Sequence, residues 1–293
     1  MGKTGAFISD DKRTDYFAAY RAAMADGPPP AAVLDVETSF GTTRVYRHGS
    51  GGAPLVLLHG LLAGAPMWAS FWAKLSAEHT VYTLDILGEG GYSVQTEPMA
   101  DHADRARCLD EVLAGLKLTG VHLVGASSGG WQAANYATRY RDRLATVTLI
   151  DPTTVTANFS FGALRYGLLL KLLPFDWMWR RFFRWAAGAD VSGEPAIRLA
   201  RATIGAYRPA VSFQTCLPEA DLRAMDVPTL AIFSGRSAVH DSALAADRLR
   251  SWLPESEVEV WPELGHYLTA ADRHRVADRL LRFVATRLPD HQA

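Results

Sequence analysis

A serine flanked by glycines stands where an apolar stretch gives way to a helical pattern. The segment VHLVGASSGGW, from Val121 to Trp131, places Ser127 in the pattern G-x-S-x-G. Such a serine sits on a strained strand-to-helix turn, where glycine two residues to either side removes collisions with neighbouring elements. A glycine-rich turn that merely joins a strand to a helix is the alternative, but strand, motif and helix occur here together. The segment predicts Ser127 as a nucleophile at the carboxyl end of a sheet.

This serine needs a base, because an alcohol is a weak nucleophile near neutral pH. Histidine suits the task, since its unperturbed pKa is about 6.5. The chain has nine histidines, and His266 lies downstream of Ser127 in WPELGHYL, a loop that follows the last apolar run. We predict His266 as the general base. His59, which ends the apolar run PLVLL, is predicted to be a structural hydrogen-bonding residue.

The elements that must position these residues alternate between apolar runs and amphipathic stretches. Eight runs predict strands: VLDVET (33–38), TTRVYR (42–47), PLVLL (54–58), TVYTL (80–84), VHLV (121–124), ATVTLI (145–150), PTLAIF (228–233) and EVEVW (257–261). Helical patterns lie near 69–77, 103–116, 128–139, 242–253 and 272–287. This order predicts an α/β fold with a mostly parallel eight-stranded sheet and helices on both faces.

Two regions lie outside this alternation. Residues 1–30 are predicted as an N-terminal helical extension, because a helical pattern there ends at GPPP (27–30). Residues 152–227 contain no good strand and are predicted as a helical cap between the sixth and seventh strands, which leaves 31–151 and 228–293 as the core. The cap's aromatic residues form either an apolar tunnel over a site or the cap's own packing, and packing is favoured. They are Trp177, Trp179, Phe182, Phe183 and Trp185.

After residue 32 the chain resembles the α/β-hydrolase superfamily over nearly its whole length. LVLLHG (55–60) resembles the family's His-Gly turn, DILGEGGYS (85–93) its D-x-x-G-x-x-G-x-S loop, GASSGG (125–130) its nucleophile elbow and GHYL (265–268) its histidine loop. Together with the leading helix, the motifs resemble those of bacterial serine carboxylesterases. The resemblance implies an oxyanion hole formed by the backbone N–H groups of Leu61 and Ser128.

The acid that orients the histidine is where the chain departs from the family pattern. The resemblance implies an acid after the strand PTLAIF, near Ser237 or Ala238, and neither residue is acidic. Two substitutes exist: Asp151, which ends the strand ATVTLI, and Asp241, which lies later than expected. Asp241 is equally suited to cap a helix that begins near Ser242, and an aspartate before proline is also common in turns. We predict Asp151 as the acid, with Asp241 or a Ser-His dyad as alternatives.

Composition limits the partners that the chain is expected to have. The 293 residues carry a formal net charge of -1, so neither nucleic acid nor an anionic membrane is predicted as a partner. Cys108 and Cys216 are expected to be free thiols, and the polar N-terminus lacks a secretory signal, so a cytoplasmic location is predicted. No metal or cofactor is predicted. DILGEGGYS faintly resembles a dinucleotide loop, but such a loop must open a helix, and SVQTEP follows it.

These residues predict a serine hydrolase that cleaves a small-molecule carboxylic ester through an acyl-enzyme on Ser127. The aromatic cap favours an apolar ester or thioester. Two alternatives remain open. The same serine would serve in acyl transfer, or in a thioesterase, a lactonase or a biosynthetic cyclase. A non-catalytic binding module without its acid would also keep the fold. The oligomeric state is not predicted.

Overall fold

A computed structural model describes residues 3–172, 175–188 and 190–287. All eight predicted runs form strands, and three two-residue strands (β1, β6 and β9) have no counterpart in the prediction. The strands are β1 (Ala6–Phe7), β2 (Ala32–Thr38), β3 (Gly41–His48), β4 (Pro54–Leu58), β5 (Thr80–Leu84), β6 (Val94–Gln95), β7 (Val121–Ala126), β8 (Leu144–Ile150), β9 (Tyr207–Arg208), β10 (Thr229–Ser234) and β11 (Glu257–Trp261).

The main sheet is mostly parallel, as predicted. Eight strands follow the order β11-β10-β8-β7-β4-β5-β3-β2, and β6 pairs with β3 as a ninth. The pairs from β11 through β5 are parallel, whereas β3 is antiparallel to β2, β5 and β6. β7 and β8 are neighbours in which Ala126 pairs with Ile150. The residues that follow these two strands therefore leave the sheet at the same edge, side by side.

Helices cover both faces of the sheet, as predicted for this alternation. They are α1 (Asp10–Met24), α2 (Ala69–Leu75), α3 (His102–Gly115), α4 (Ser128–Ala137), α5 (Phe161–Leu172), α6 (Asp176–Ala187), α7 (Pro195–Ala206), α8 (Glu219–Arg223), α9 (Ser242–Trp252) and α10 (Ala270–Ala285), with a short 3-10 helix at Ala65–Trp68. In the described part of the chain, no helix has the length and apolar character needed to cross a membrane.

The side chains of β4 explain why a central strand is apolar at every position. Val56 and Leu58 pack with residues of α3, α4 and α9 in one core cluster. Leu55 and Leu57 pack with residues of α2 and α10 in a second cluster. Because successive side chains of a strand point to opposite faces, a sheet covered on both sides buries all of them.

The leading helix α1 is tied to the core by the buried carboxylate of Asp85. Its Oδ1 accepts hydrogen bonds from the hydroxyl of Tyr20 at 2.7 Å and the N–H of Ala65 at 3.0 Å, and its Oδ2 accepts from the N–H of Tyr92 at 2.8 Å. Burial raises the pKa of Asp85, and these donors act in the opposite direction. The loop at 85–93 therefore supplies a hydrogen-bonding centre between α1 and the sheet.

The interval between β8 and β10 contains the helices α5, α6, α7 and α8. We call residues 152–227 the insertion. It also contains the two-residue strand β9, which pairs antiparallel with β1 and which the sequence pattern did not indicate. Two residues are too few for a sequence pattern to signal a strand. α5 and α6 pack through a buried cluster of Tyr166, Leu170 and Met178. The domain bounds themselves stay a prediction.

Candidate active site

Ser127 lies on the turn between β7 and α4. Its backbone has φ 54° and ψ -120°, a conformation that residues with side chains rarely adopt. A Cβ added to Gly125 would stand 2.1 Å from the carbonyl oxygen of Gly129, and a Cβ on Gly129 would stand 2.2 Å from that of Leu58. Both distances are far inside van der Waals contact. The two glycines of the motif are thus what lets the turn close and present the serine at the sheet edge.

Ser127, His266 and Asp151 form a chain of hydrogen bonds. Oγ of Ser127 lies 3.0 Å from Nε2 of His266, and Nδ1 of His266 lies 2.6 Å from Oδ2 of Asp151. Ser127 and Asp151 follow the neighbouring strands β7 and β8, and His266 lies in the loop between β11 and α10. With a carboxylate at Nδ1, the imidazole carries its proton there and turns the lone pair of Nε2 to the serine.

The carboxylate of Asp151 is buried and held by several groups. Oδ1 accepts from the N–H of Ser234 at 3.0 Å, and Oδ2 accepts from the hydroxyl of Ser237 at 2.8 Å. Nε2 of His240 lies 3.2 Å from Oδ1. Burial by itself raises the pKa of this carboxyl, but the imidazoles of His240 and His266 outweigh burial and hold the pKa well below its usual range. Asp151 is therefore ionised at neutral pH.

The other candidate acid, Asp241, has a different role in the fold. It is the N-cap of α9, where its carboxylate accepts from the N–H of Leu244 at 3.0 Å. Of the two aspartates, the structure brings Asp151 to His266 and leaves Asp241 at the start of a helix. Ser237, near which the family pattern implied an acid, is a donor to Asp151.

The residues predicted to form an oxyanion hole with their backbone N–H groups are Leu61 and Ser128. Both residues line the same cavity as Ser127. Within the described ranges, neither N–H group donates to a protein acceptor. Ser128 is the first residue of α4, whose N-terminus has no side-chain cap. Free N–H groups and the positive end of a helix dipole can both stabilise an anion at this position.

The sequence model of the alpha/beta hydrolase family matches residues 55–279, from β4 into α10. The chain belongs to the alpha/beta hydrolase family. Two relatives from Bacillus subtilis (strain 168) align with it over nearly their whole length. The uncharacterized carboxylesterase nap is 26% identical over 282 residues, covering 93% of each chain. The carboxylesterase YbfK is 25% identical over 289 residues, covering 95% of this chain and 96% of the relative.

Solved structures of alpha/beta hydrolases share the fold of this chain. The crystal structure of naproxen esterase (carboxylesterase NP) from Bacillus subtilis superposes with a TM-score of 0.87 at 25% identity, covering 94% of this chain and 99% of that chain. A putative hydrolase from Bacillus subtilis has the same TM-score of 0.87 and the same 25% identity. The α/β-hydrolase fold and the resemblance to bacterial carboxylesterases are confirmed.

The cavity in front of Ser127 in this alpha/beta hydrolase has a volume of about 640 Å³. That volume is within the range of small-molecule sites, roughly 300–1,000 Å³. Most lining side chains are apolar and come from the segment 61–71, the insertion and the loop that carries His266. They include Met67, Phe71, Leu164, Leu170, Ile197 and Leu268. The polar lining residues include Gln214 of the insertion, which donates to the carbonyl of Ser128 at 3.2 Å.

The aromatic residues predicted in the insertion take part in both of the predicted roles, cavity lining and packing. Trp179, Phe182 and Phe183 line the cavity. Trp185 packs against the cluster between α5 and α6, and the side chain of Trp177 is 55% exposed. Trp179 and Phe182 also pack against that cluster, so these two side chains combine the roles of cavity lining and packing.

His59 bonds to the backbone, as predicted for a structural hydrogen-bonding residue at the end of the run PLVLL. Its Nε2 accepts from the N–H of Ile86 at 3.0 Å, and its Nδ1 lies 2.8 Å from the carbonyl oxygen of Gly60. The imidazole thus fixes the turn that carries Leu61. Among the residues that the structure describes, no cluster of three or more His, Cys, Asp or Glu side chains has a geometry suited to a metal ion.

Sequence reasoning missed the groups that surround the acid. Ser237 and His240 both lie in SGRSAVHD, the loop in which an acid was expected. Each reaches Asp151 across the sheet edge, from a position 86 or more residues later in the chain. The available signal was a loop that lacks an acid yet contains a hydroxyl and an imidazole, two groups that donate to carboxylates.

Proposed function

We propose that this protein hydrolyses small-molecule carboxylic esters, with Ser127 as nucleophile, His266 as general base and Asp151 as the acid. The observation that carries the proposal is the chain of hydrogen bonds from Oγ of Ser127 through His266 to Oδ2 of Asp151, with steps of 3.0 and 2.6 Å. An ester as the substrate class is supported by the names of the relatives nap and YbfK, both carboxylesterases.

The reaction proceeds in two halves. Oγ of Ser127 attacks the acyl carbon while Nε2 of His266 takes the hydroxyl proton, and the N–H groups of Leu61 and Ser128 stabilise the oxyanion. The bond from carbon to the alcohol oxygen then breaks, and the alcohol leaves with the proton from His266. Water next attacks the acyl-enzyme and gives its proton to His266. Collapse of the second intermediate releases the acid, and the proton returns to Oγ.

Asp151 contributes charge and orientation without itself taking the proton. Its low pKa keeps it anionic over the pH range in which the histidine must change state. The anion holds the proton of His266 on Nδ1 before attack and stabilises the imidazolium that forms during attack.

The cavity supports an apolar ester. Side chains such as Leu164, Phe182 and Phe183 cover the space in front of Ser127. Burying hydrocarbon there is favourable by about 25 cal/mol per Å², whereas an unpaired charge would lose its hydration. We therefore assign the insertion, residues 152–227, the role of a cap that binds the acyl or alcohol part of the substrate.

The cytoplasm is the proposed compartment. Both described cysteines, Cys108 and Cys216, are free thiols. Cys108 is buried, and burial raises the pKa of its thiol to about 11, which keeps it protonated and unreactive. Free thiols of this kind are suited to a reducing environment.

The alternative of a non-catalytic binding module loses its main support. That alternative depended on the missing acid after β10, and the carboxylate of Asp151 faces His266 from the end of β8. Thioester and lactone substrates use the same serine chemistry, so they belong in the first substrate panel.

The decisive experiment treats the purified wild type and Ser127→Ala with a fluorophosphonate. The intact mass of each protein is then measured by mass spectrometry. We expect one label per chain in the wild type and none in the variant. For p-nitrophenyl esters, kcat/KM should rise from acetate to hexanoate by about fourfold for each buried CH₂. Lactones and thioesters are assayed beside them. An unlabelled wild-type protein, or turnover that survives Ser127→Ala, would contradict the proposal.

A further inference from the structure

A second histidine contacts the acid from the side opposite His266. The side chain of His240 is 1% exposed, and its Nε2 lies 3.2 Å from Oδ1 of Asp151. The other carboxylate oxygen, Oδ2, lies 2.6 Å from Nδ1 of His266. The buried carboxylate of Asp151 thus lies between two imidazoles, of which only His266 contacts Ser127 in the described structure.

The position of His240 is fixed by its surroundings. Its ring stands edge-on to Phe233 of β10, with centroids 6.1 Å apart and an interplanar angle of 86°. Its backbone forms an isolated antiparallel bridge with Phe159, and the neighbouring carbonyl of Val239 accepts from the N–H of Ser160 at 2.8 Å. The insertion and β10 therefore hold the imidazole against Asp151 from two sides.

The imidazole has little else to bond to. Among the described residues, neither ring nitrogen of His240 has a well-aligned hydrogen-bond partner, so its polar contact is the 3.2 Å approach to Asp151. A buried polar ring without a good hydrogen bond lowers stability, whereas phenylalanine or leucine would fill the same apolar space without that cost. An interaction of Nε2 with the carboxylate of Asp151 explains why a histidine occupies this position.

We propose that His240 is a positioning residue for ester hydrolysis, whose Nε2–H holds Oδ1 of Asp151 and thereby fixes the carboxylate that orients His266. The proposal rests on the function proposed above. A donor on the carboxylate also weakens its pull on the proton of His266. The pH at which the Asp151–His266 pair activates Ser127 should therefore depend on this donor.

The pH dependence involves few other groups. Asp151, at the end of β8, faces His240 directly, and His266 lies on the far side of that carboxylate. Asp241 follows His240 in the chain, but its carboxylate is bonded to the start of α9. Phe233 and Phe159, which pack against or pair with His240, do not titrate. The charge that His240 influences is therefore that of the Asp151–His266 pair.

The test is the rate at which a fluorophosphonate labels Ser127 as a function of pH, measured for the wild type, His240→Phe and His240→Gln. Labelling reports the reactive serine without requiring the natural substrate. We expect His240→Phe to move the acidic limb of the profile upward by about half a pH unit and to lower the plateau about tenfold. Glutamine carries an N–H donor near the place of Nε2. In His240→Gln, both the acidic limb and the plateau should therefore lie close to those of the wild type.

The matched control is His122→Phe. His122 is 1% exposed, lies on β7, and bonds to Thr146 at 2.9 Å, with no contact to the acid. Its replacement removes a buried imidazole and should leave the acidic limb where it is. His240→Leu is a second variant without a donor, closer to histidine in volume than phenylalanine is, and carries the same expectation as His240→Phe.

The outcomes separate this role from the proposed function. An unlabelled wild-type protein would overturn both. A labelled wild type whose acidic limb coincides with those of His240→Phe and His240→Leu would overturn the role of His240 alone. A merely structural role predicts that result, since a folding defect reduces the amount of active protein without moving the limb.

Discussion

The hydroxyl of Ser237 donates a hydrogen bond to Oδ2 of Asp151, over a distance of 2.8 Å. The same oxygen faces Nδ1 of His266 at 2.6 Å. The loop after β10 therefore supports the carboxylate of Asp151 at the end of β8, and it is this carboxylate that contacts His266. The carboxylate still reaches the imidazole, because β8 and β10 are neighbouring parallel strands whose carboxyl ends lie at one edge of the sheet.

Asp151→Asn tests which acid works with His266. We expect kcat to fall by about 10³- to 10⁴-fold, because an amide cannot hold the productive tautomer or stabilise the imidazolium. Kinetics on p-nitrophenyl butyrate and a thermal melt of the same sample separate this loss from unfolding. Asp241→Asn is the matched control. It should keep activity and stability near wild type, because asparagine caps a helix as well as aspartate does. Equal losses in both variants would contradict the assignment.

Moving the acid to the neighbouring strand tests the geometry of the loop. Adding Ser237→Asp to Asp151→Asn should raise kcat at least about tenfold above that of Asp151→Asn alone. The reason is that the Ser237 side chain reaches the oxygen that His266 faces. Ser237→Asp alone should destabilise the protein, since two carboxylates would share one buried site. Asp151→Asn with Ser237→Ala is the control. A double variant no faster than that control would show that residue 237 cannot present a carboxylate to the histidine.

The fold was predictable because its signals are local. Each apolar run has a length typical of a strand, and the alternation with helical patterns implies a parallel sheet. The strands β1, β6 and β9 were not predictable, since each has only two residues and depends on a distant partner such as β3 for β6. No periodicity exists over so short a stretch.

The candidate site was predictable to the degree that its residues follow strands. Ser127 and Asp151 come directly after β7 and β8, so the topology alone brings them to one edge. Ser237 and His240 belong to a loop, whose path depends on contacts such as the bridge between His240 and Phe159. A loop path of this kind is set by tertiary packing, and the sequence pattern of SGRSAVHD does not encode it.

The requirement for glycine at position 125 can be tested by adding a single methyl group, with Gly125→Ala. Gly125→Ala would bring a Cβ to 2.1 Å from the carbonyl oxygen of Gly129, so the turn that carries Ser127 must shift. We expect a loss of about 1–3 kcal/mol in the free energy of unfolding and about 100-fold in kcat/KM. Gly205→Ala in α7 is the matched control, because an added Cβ there meets nothing within 4 Å. That variant should be neutral or slightly more stable. Full activity in Gly125→Ala would contradict the steric argument.

Buried histidines make the stability of this protein sensitive to pH. His122 is 1% exposed, and burial, with a smaller effect of His79, lowers its pKa to about 4. In the unfolded chain a histidine has a pKa of about 6.5. Between these two values the unfolded state binds a proton that the folded state does not. Stability therefore falls as the pH drops from about 6.5 to about 4 and changes no further, through this group, below that.

His122→Gln should remove this part of the pH dependence. Urea unfolding at pH 7 and pH 5 gives the loss of unfolding free energy on acidification, and the loss should be smaller in the variant by about 2 kcal/mol. Glutamine keeps a polar partner for Thr146, whose hydroxyl bonds to His122 at 2.9 Å. His274→Gln is the matched control, because His274 is exposed on α10 and should leave the loss unchanged. Equal losses in the wild type and both variants would mean that His122 takes up its proton in the folded state, against the effect of its burial.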